Sequence, residues 1–372
     1  MEILVLSPYK DDVFLYPPVQ AFNEVLRRNG CAVTYEYFPG RGLHSKIQQE
    51  KPSHFCIVKA YAAKLTRFPW DLTKLLVLRI FRRFDAVIVI DHFLAAVAMW
   101  IYPTDHVIFW SHDIICSDSD FAQYRISKIL LTANAKLIRN GARLLIQDED
   151  RRALLEESIG CQVPQDRRFI APIFLTALTS PPPIKRLNGR PKLLQIGHLS
   201  WIRHSDELLQ HYSENTNLYE LLCHGVPDHS FRNALKIIQR RPALSTVLIP
   251  SNQLWKIISE CHIGFLGYRF EDKNAYLLAR ASGQAIEFLR LGKPVIVLSH
   301  STLNELINQR GAGIGITSIT QLGEAVETIV SQYEKYVKAA KSLFDEDFDP
   351  IRFESDLVSW LAGRPSSKQS KA

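Results

Sequence analysis

Residues 282–297 read SGQAIEFLRLGKPVIV, and this stretch describes a short helix that leads into a buried strand. Ser282 is placed to cap the helix, because a serine hydroxyl accepts a hydrogen bond from a free amide of the first turn. Gly292 is placed to end it, as glycine does after many helices. Pro294 then opens a run of valine and isoleucine that is typical of a buried strand. The stretch therefore predicts one helix–strand step of an α/β fold.

The same alternation of short apolar runs and longer amphipathic stretches continues along the chain in both directions. Strands are predicted at residues 3–6, 32–38, 86–90, 107–110 and 144–146, and again at 192–196, 217–222, 246–249, 263–266 and 294–298. Helices are predicted at residues 19–29, 322–343 and 352–361. Apolar runs separated by helices are typical of parallel sheets covered on both faces. We therefore expect an α/β protein with two tandem doubly wound, Rossmann-like domains.

Three consecutive prolines, Pro181–Pro183, interrupt this alternation. They cannot continue a helix or a central strand, so they indicate a stiff linker. The expected divisions are an N-terminal domain at residues 1–178, a linker at 179–190, a C-terminal domain at 191–345, a C-terminal helix at 346–362 that packs back on the first domain, and a disordered tail at 363–372. Two open sheets joined in this way predict a ligand cleft between the carboxyl ends of their strands.

Composition excludes several classes of protein. A length of 372 residues suits two domains, and 47% hydrophobic with 22% charged residues excludes wholesale disorder and fibrous proteins. The mean hydropathy of -0.05 and the broken apolar run at residues 93–110 exclude a multi-span membrane protein. The six cysteines are scattered without a C-x-x-C, which favours a reduced, cytoplasmic chain without a structural metal. The first six residues are typical of a strand and not of a signal peptide.

A net charge of +7 and a pI near 9.0 favour an anionic partner. We expect no nucleic-acid binding, since the chain has no helix-turn-helix, RRM or zinc-finger pattern. Residues 64–83 interleave basic residues with aromatic residues and leucines, which is typical of contact with an anionic membrane. The same composition also suits a helix that packs one face on its sheet and solvates a basic face. The basic residues are Lys64, Arg67, Lys74, Arg79, Arg82 and Arg83.

The helix that begins at residue 283 has two features suited to a nucleotide. Free amides at a helix N-terminus favour a phosphate group. One turn further in, Glu287 is able to accept two hydrogen bonds from a vicinal diol such as a ribose. The alternative from the residues alone is a plain helix whose Glu287 is merely solvated.

This segment resembles the donor-binding signature of GT-B glycosyltransferases of the family 4 type, E-x-L/A-x-x-G-x-P-V, in which the glutamate holds the nucleotide ribose. Residues 194–200, LQIGHLS, with Arg203 after them, resemble the x-x-G-x-L-x-x-x-K/R that opens the second domain of that family. Residues 218–225, 251–254 and 263–268 resemble further elements of the same domain. The first domain resembles the family only in architecture. The resemblance implies a nucleotide-sugar site made of Gly197, His198, Arg203, Ser282, Gly283, Gln284 and Glu287.

The sequence departs from the family pattern at two positions. Ala279 stands where many relatives have a glutamate that approaches the donor sugar, and Gln284 stands where others have a lysine. A substitute contact with the sugar is expected from Arg269 or Arg280, in the polar loop that precedes the helix.

In the first domain, Trp110-Ser111-His112-Asp113 follows a predicted strand and resembles the segment in which these enzymes place a histidine facing the donor sugar. By this resemblance His112, with Asp113 beside it, is the catalytic candidate, because a histidine can hydrogen-bond the sugar or stabilise developing charge. The alternative is a satisfied turn histidine. Adjacent Ser111, His112 and Asp113 do not form a hydrolase triad, and the chain has no G-x-S-x-G.

Two further loops carry polar residues. Asp118 and Asp120 have the D-x-D spacing of a metal site, or are the first acids of the helix that runs to Arg139. Since GT-B enzymes bind their donor without a metal, no metal is expected. Tyr9 and Lys10 lie where relatives often carry a glycine-rich acceptor loop, and they are expected to face the cleft.

The resemblance implies a glycosyltransferase that moves a sugar from a nucleotide-sugar donor to a saccharide or lipid-linked acceptor. It implies a retaining reaction with no cofactor besides the donor. The cysteines favour a cytoplasmic protein, and the basic stretch at residues 64–83 is the basis for expecting peripheral contact with the inner face of the membrane. Two alternatives stay open. One is a non-catalytic relative that binds a nucleotide sugar or a protein partner, and the other is a nucleotide-sugar epimerase or hydrolase.

Overall fold

The apolar runs of the first 171 residues form one parallel six-stranded sheet in the computed structural model. The structure describes residues 1–8, 17–38, 72–115, 125–175, 187, 189–215, 217–239, 241–247, 249–269 and 273–363. Strands of the first sheet are β1 (Glu2–Ser7), β2 (Ala32–Tyr37), β3 (Ala86–Ile90), β4 (Val107–Trp110), β5 (Arg143–Ile146) and β6 (Arg168–Ile170). They lie in the order β2-β1-β3-β4-β5-β6, and every neighbouring pair is parallel.

Helices cover this sheet, and the last helix of the chain belongs to the same unit, residues 1–171 with 351–372. They are α1 (Pro17–Arg28), α2 (72–81), α3 (His92–Ile101), α4 (Arg125–Arg139), α5 (Glu149–Ile159) and the C-terminal α14 (Glu354–Leu361). Helix α14 is held by an ion pair between Glu354 and Arg28. The Arg143 guanidinium also donates to the carbonyl oxygens of Trp360, at 2.5 Å, and Leu361, at 3.2 Å.

Residues 172–350 form the second unit, around a second parallel six-stranded sheet. Its strands are β7 (Lys192–Leu199), β8 (Glu220–Pro227), β9 (Ala243–Ser245), β10 (Ile263–Gly267), β11 (Val295–Leu298) and β12 (Gly313–Ile316). Its helices are α6 (Ser205–Glu214), α7 (His229–Ile237), α8 (Leu254–Ser259), α9 (Lys273–Tyr276), α10 (Gly283–Arg290), α11 (Thr302–Arg310), α12 (Leu322–Ser331) and α13 (Tyr333–Leu343). The predicted α/β class with two doubly wound sheets is thus confirmed.

The strand order of the second sheet creates a switch point. The order is β12-β11-β10-β7-β8-β9, so the chain winds outward from β7 to β9 and then returns to the other side of β7 as β10. Crevices outside the carboxyl ends of strands at such a reversal are where open α/β sheets bind ligands. In this unit the crevice lies beyond the ends of β7 and β10.

Helix α10 packs closely on the strands at the switch point. All five residues of β10 are buried, as expected of a strand covered on both faces. A Cβ added at Gly264 would lie 2.6 Å from the Phe288 ring. The glycine therefore lets α10 approach the sheet, and this approach positions the first turn of the helix at the strand ends.

Two predicted elements differ from the structure, and two strands, β6 and β12, were not predicted. The strand predicted at residues 246–249 is wrong, because the edge strand is β9, three residues earlier and largely exposed, so no apolar run marks it. The helix predicted at 322–343 is two helices, broken at Gln332 with φ -128 and ψ 34. The sequence reading missed β12, whose two glycines lower its strand propensity.

The linker predicted at residues 179–190 lies mostly outside the described residues. Among the helices that the structure does describe, none combines the length and the apolar character needed to cross a bilayer.

Candidate functional site

Gly197, near the end of β7, is in contact with Gln284 in the first turn of α10. Gly197 has a φ of +92, a backbone conformation that favours glycine, and a Cβ there would lie 2.2 Å from Gln284 Nε2. That same nitrogen donates to the carbonyl oxygen of Ile196 at 2.7 Å. The two sequence motifs, 88 residues apart, thus meet at the switch point, and only glycine fits between them.

A second glycine, Gly225, lies directly against the backbone of Gly197, and the sequence analysis did not select it. Gly225 of β8 pairs with Gly197 and has a φ of +152, and a Cβ on it would lie 1.7 Å from the Gly197 carbonyl oxygen. The close approach of the two strands leaves Gly197 exposed between the buried Ile196 and Leu199. The backbone of Gly197 is therefore accessible to a ligand, although the Gln284 side chain packs against it.

The start of α10 is held by hydroxyl groups. Ser282 Oγ accepts from the Ala285 amide at 3.2 Å, as the cap predicted from sequence requires. The buried Tyr268 hydroxyl lies 2.5 Å from Ser282 Oγ and donates to Gln284 Oε1 at 3.5 Å. The first amides of a helix have no partner within it, so those of Gly283 and Gln284 suit an anion.

Arg203 supplies a positive charge at the same place. Its guanidinium carbon lies 4.3 Å from the Tyr268 ring centroid, in a cation–π contact. Its carbonyl oxygen accepts from Gln195 Nε2 at 2.9 Å and lies against Gly267, where a Cβ would come within 2.2 Å of it. Both ends of the residue are therefore fixed next to the carboxyl end of β10.

His198 lies half-buried at the end of β7. Burial lowers the pKa of its imidazole, an effect that Arg203 reinforces and Asp228 opposes. The side chain is therefore a neutral hydrogen-bonding group at neutral pH and not a second cation.

Glu287 lies one turn into α10, in an ion pair with Arg290. Glu287 is 5% exposed and Arg290 is 3% exposed, so the alternative of a merely solvated Glu287 is wrong. Burial raises the pKa of the Glu287 carboxyl to about 7, although the charge of Arg290 pulls in the opposite direction. The carboxyl therefore changes its charge close to neutral pH.

The two arginines predicted as substitute sugar contacts are engaged in ion pairs. Arg269 forms ion pairs with Glu207 and, at 3.7 Å, with Asp206, and its guanidinium lies 4.2 Å from the Trp201 ring centroid. Arg280 pairs with Asp347 at 3.5 Å. A contact with a sugar would have to compete with these acidic partners.

In the first unit, His112 follows β4 and is 8% exposed. Its ring centroid lies 4.3 Å from that of Trp110, and its carbonyl oxygen accepts from Arg151 Nη2 at 2.5 Å. Burial, with a smaller effect of Arg151, lowers the pKa of His112 to about 3. The imidazole is therefore neutral at physiological pH and suits hydrogen bonding, not proton donation.

A buried network that sequence reasoning missed positions Asp113. His92 Nε2 donates to the Asp113 carbonyl oxygen at 3.0 Å, because a carbonyl can only accept. His92 Nδ1 is then free to accept from Asn134 Nδ2, at 2.6 Å. These partners lie on α3 and α4, so no local sequence signal points to them.

The remaining candidates lie outside the described residues, namely Tyr9, Lys10, Asp118 and Asp120. In the part of the chain that the structure describes, no three His, Cys, Asp or Glu side chains come together as a group that would hold a metal ion. All seven residues predicted for the nucleotide sugar lie around the switch point of the second unit, namely Gly197, His198, Arg203, Ser282, Gly283, Gln284 and Glu287. His112 and Asp113 belong to the first unit.

No family model matches the chain, and no curated protein matches it in sequence. Solved structures are similar to it in fold. Sucrose-phosphate synthase from Thermosynechococcus elongatus has a TM-score of 0.64 at 13% identity, covering 96% of this chain and 98% of that one. HepE from Anabaena, in complex with UDP, has a TM-score of 0.64 at 12% identity, covering 97% and 100%. WaaG, a glycosyltransferase involved in lipopolysaccharide biosynthesis, has a TM-score of 0.62 at 14% identity, covering 97% and 99%. The chain therefore has the GT-B fold of these glycosyltransferases.

Proposed function

We propose that the protein is a glycosyltransferase that moves a sugar from a nucleotide-sugar donor to a saccharide or lipid-linked acceptor. The observation that carries the proposal is the meeting of Gly197, Gln284 and Arg203 at the switch point of the second unit. An exposed glycine backbone, a helix N-terminus and a fixed guanidinium together suit a diphosphate. The fold shared with HepE, which was solved with UDP and with UDP-glucose, supports the same reading.

In the proposed donor complex, Arg203 and the amides of Gly283 and Gln284 hold the diphosphate beside Gly197. Glu287 accepts hydrogen bonds from the ribose hydroxyls, and its ion pair with Arg290 keeps the carboxylate oriented.

Arg203 and the positive end of α10 then neutralise the diphosphate, so no metal is required. We expect activity to persist in excess EDTA, and an activity lost with EDTA and restored by Mg²⁺ or Mn²⁺ would contradict this part.

His112 is proposed to hydrogen-bond the donor sugar as a neutral imidazole. A neutral ring at the end of β4 can donate from one nitrogen and accept at the other.

The reaction is proposed to retain the anomeric configuration. Proton NMR of the product tests retention directly, through the coupling constant of its anomeric proton, and a product of inverted configuration would overturn it.

The experiment that tests transfer follows release of nucleotide by mass spectrometry. Each nucleotide sugar is incubated with the protein alone and with panels of saccharide and lipid-linked acceptors. We expect release that depends on an acceptor, together with a product heavier by one sugar. Release at the same rate without an acceptor would instead identify a hydrolase, and conversion of the donor sugar without release would identify an epimerase.

A second candidate function is a non-catalytic nucleotide-sugar binder, and two positions favour it. Gln284 has no charge, and its Nε2 is committed to the Ile196 carbonyl oxygen. Ala279 has no polar side-chain group with which to contact a sugar, and its amide donates to Thr302 Oγ1 at 3.1 Å. A protein that binds the nucleotide but turns over no donor with any acceptor would establish this function in place of transfer.

A further inference from the structure

Helix α2 carries an apolar stripe on its solvent side. Leu76, Val77, Ile80 and Phe81 are all exposed, Ile80 at 73% and Phe81 at 79%. Their spacing, i, i+1, i+4 and i+5, places them on one side of the helix, opposite the buried Leu75. This helix therefore uses one side for packing and presents a second apolar side that the described residues of its unit do not bury.

Helix α3 presents a similar surface. Its ten residues, HFLAAVAMWI, include no Asp, Glu, Lys or Arg, and Phe93 and Trp100 lie on one face at i and i+7. Trp100 is 75% exposed, which is unusual for the largest apolar side chain. The apolar run at residues 93–110 is thus partly surface, although the sequence alone suggested only that it is too short to span a membrane.

The exposed sides of α2 and α3 belong to one layer. Both helices connect strands in the same direction across the sheet, so right-handed crossovers place them on the same face. The Tyr102 hydroxyl, directly after α3, donates to the carbonyl oxygen of Leu75 in α2 at 3.3 Å. Helix α4 continues the layer, since Lys136 Nζ lies 5.5 Å from the Trp100 ring centroid and Ile129 is 54% exposed.

The charges of this layer have one sign. Residues 72–83, α3 and α4 contain eight basic residues and no Asp or Glu. The basic residues are Lys74, Arg79, Arg82, Arg83, Arg125, Lys128, Lys136 and Arg139. The next helix, α5, contrasts with them, because its eleven residues include four acids. Exposed apolar side chains surrounded by positive charges favour a partner that is both apolar and anionic.

We propose that this surface docks on an anionic lipid bilayer. We call it the basic apolar face and define it by Leu76, Val77, Ile80, Phe81, Phe93, Trp100 and Ile129 with Arg83, Lys128 and Lys136. The apolar side chains enter the boundary between headgroups and acyl chains, and the cations contact lipid phosphates. A second copy of the chain is a poorer occupant, because two such faces would bring like charges together.

The proposal goes beyond the proposed function and does not depend on it. It also extends the membrane contact predicted for residues 64–83, of which 64–71 lie outside the described part, by adding α3 and α4. Exposed apolar patches of this kind mark interaction sites on otherwise soluble surfaces.

Flotation of the full-length protein with vesicles tests the proposal. The vesicles are phosphatidylcholine alone, and phosphatidylcholine with phosphatidylglycerol at about three parts in ten. We expect binding to the anionic vesicles only, and its loss in high salt because the attraction of cations to the surface is screened. Binding that is equal on both vesicle types, or absent from both, would overturn the proposal.

Two pairs of variants separate the apolar and the charged contributions. We expect Ile80→Ser with Phe81→Ser to weaken vesicle binding at least about tenfold, since two apolar side chains no longer insert. Ile237→Ser is the matched control, because Ile237 is 82% exposed in the second unit. We expect Lys128→Gln with Lys136→Gln to weaken binding about 30-fold, at about fivefold per charge. Lys335→Gln with Lys338→Gln makes the same change in net charge on exposed positions of α13.

Analytical ultracentrifugation of the same proteins tests the competing occupant. A monomer at all concentrations, with the vesicle results above, supports docking on lipid. A dimer that Ile80→Ser with Phe81→Ser dissociates, together with vesicle binding unchanged in both face variants, would assign the face to self-association and overturn the proposal.

Discussion

Replacing Gly197 by alanine tests whether the contact between the two motifs is as close as the structure has it. The new methyl group would lie 2.2 Å from Gln284 Nε2, so the glutamine side chain must leave the Ile196 carbonyl oxygen. A residue with a Cβ at a φ of +92 costs about 1–2 kcal/mol, and losing the hydrogen bond adds about 1 kcal/mol. We therefore expect Gly197→Ala to lower the free energy of unfolding by about 2–3 kcal/mol.

Urea unfolding of the full-length protein measures this effect, with Gly189→Ala as the matched control. Gly189 lies in the same unit at a φ of +80, with no atom within 4 Å of an added Cβ, so it reports the backbone strain alone. Gln284→Ala should cost about 1 kcal/mol by itself and nothing further on top of Gly197→Ala. Additive costs in the double variant, or a Gly197→Ala cost no larger than that of Gly189→Ala, would refute the close contact between Gly197 and Gln284.

Three further predictions concern the proposed donor site and His112. Because ribose binding requires Glu287 as the carboxylate and its pKa is about 7, nucleotide affinity should rise about tenfold from pH 6 to pH 8, and calorimetric titration of Glu287→Gln should show no such rise. Arg203→Ala should weaken binding of a nucleoside diphosphate about 10–100-fold and leave that of the free nucleoside unchanged, whereas equal losses for both ligands would remove Arg203 from the phosphate site. The pKa of His112 is about 3 in the folded protein and lies below its ordinary value, so the unfolded chain binds the extra proton and stability should fall as the pH drops below about 6.5. The loss of stability that His112 causes at low pH should be absent in His112→Gln. The same loss in that variant would contradict the lowered pKa of His112.

The sequence predicted best the elements that are defined by local patterns. Strands β3 and β4 match their predicted bounds, because both are short, fully buried runs of β-branched and aromatic residues with polar residues next to them. The Ser282 cap and the left-handed Gly292, at a φ of +62, follow from side-chain chemistry within one helix. Edge strand β9 was misplaced because an exposed strand carries no apolar signature.

The candidate site was predictable only in part. Arg290 stands three residues after Glu287, so their ion pair was within reach of a local argument, but the burial that raises the pKa of Glu287 depends on the packing of α10. Tyr268 and Gly225 take their roles from distant residues, Ser282 and Gly197. Such contacts between strand ends are set by the register of the sheet, which hydrophobic periodicity does not encode.

The most direct test of the proposed nucleotide site in the second unit is the melting temperature of the protein in the presence of UDP, GDP, ADP or CMP. A ligand at about 100 times its dissociation constant adds about 2.7 kcal/mol to the folded state, which is readily seen as a rise in melting temperature. Arg203→Ala is measured beside Arg280→Ala, an arginine of the same unit that pairs with Asp347. We expect one nucleotide to raise the melting temperature of the wild type and of Arg280→Ala, and we expect Arg203→Ala to lose the rise. No response to any nucleotide, or the same response in Arg203→Ala as in the wild type, would contradict the proposed nucleotide site.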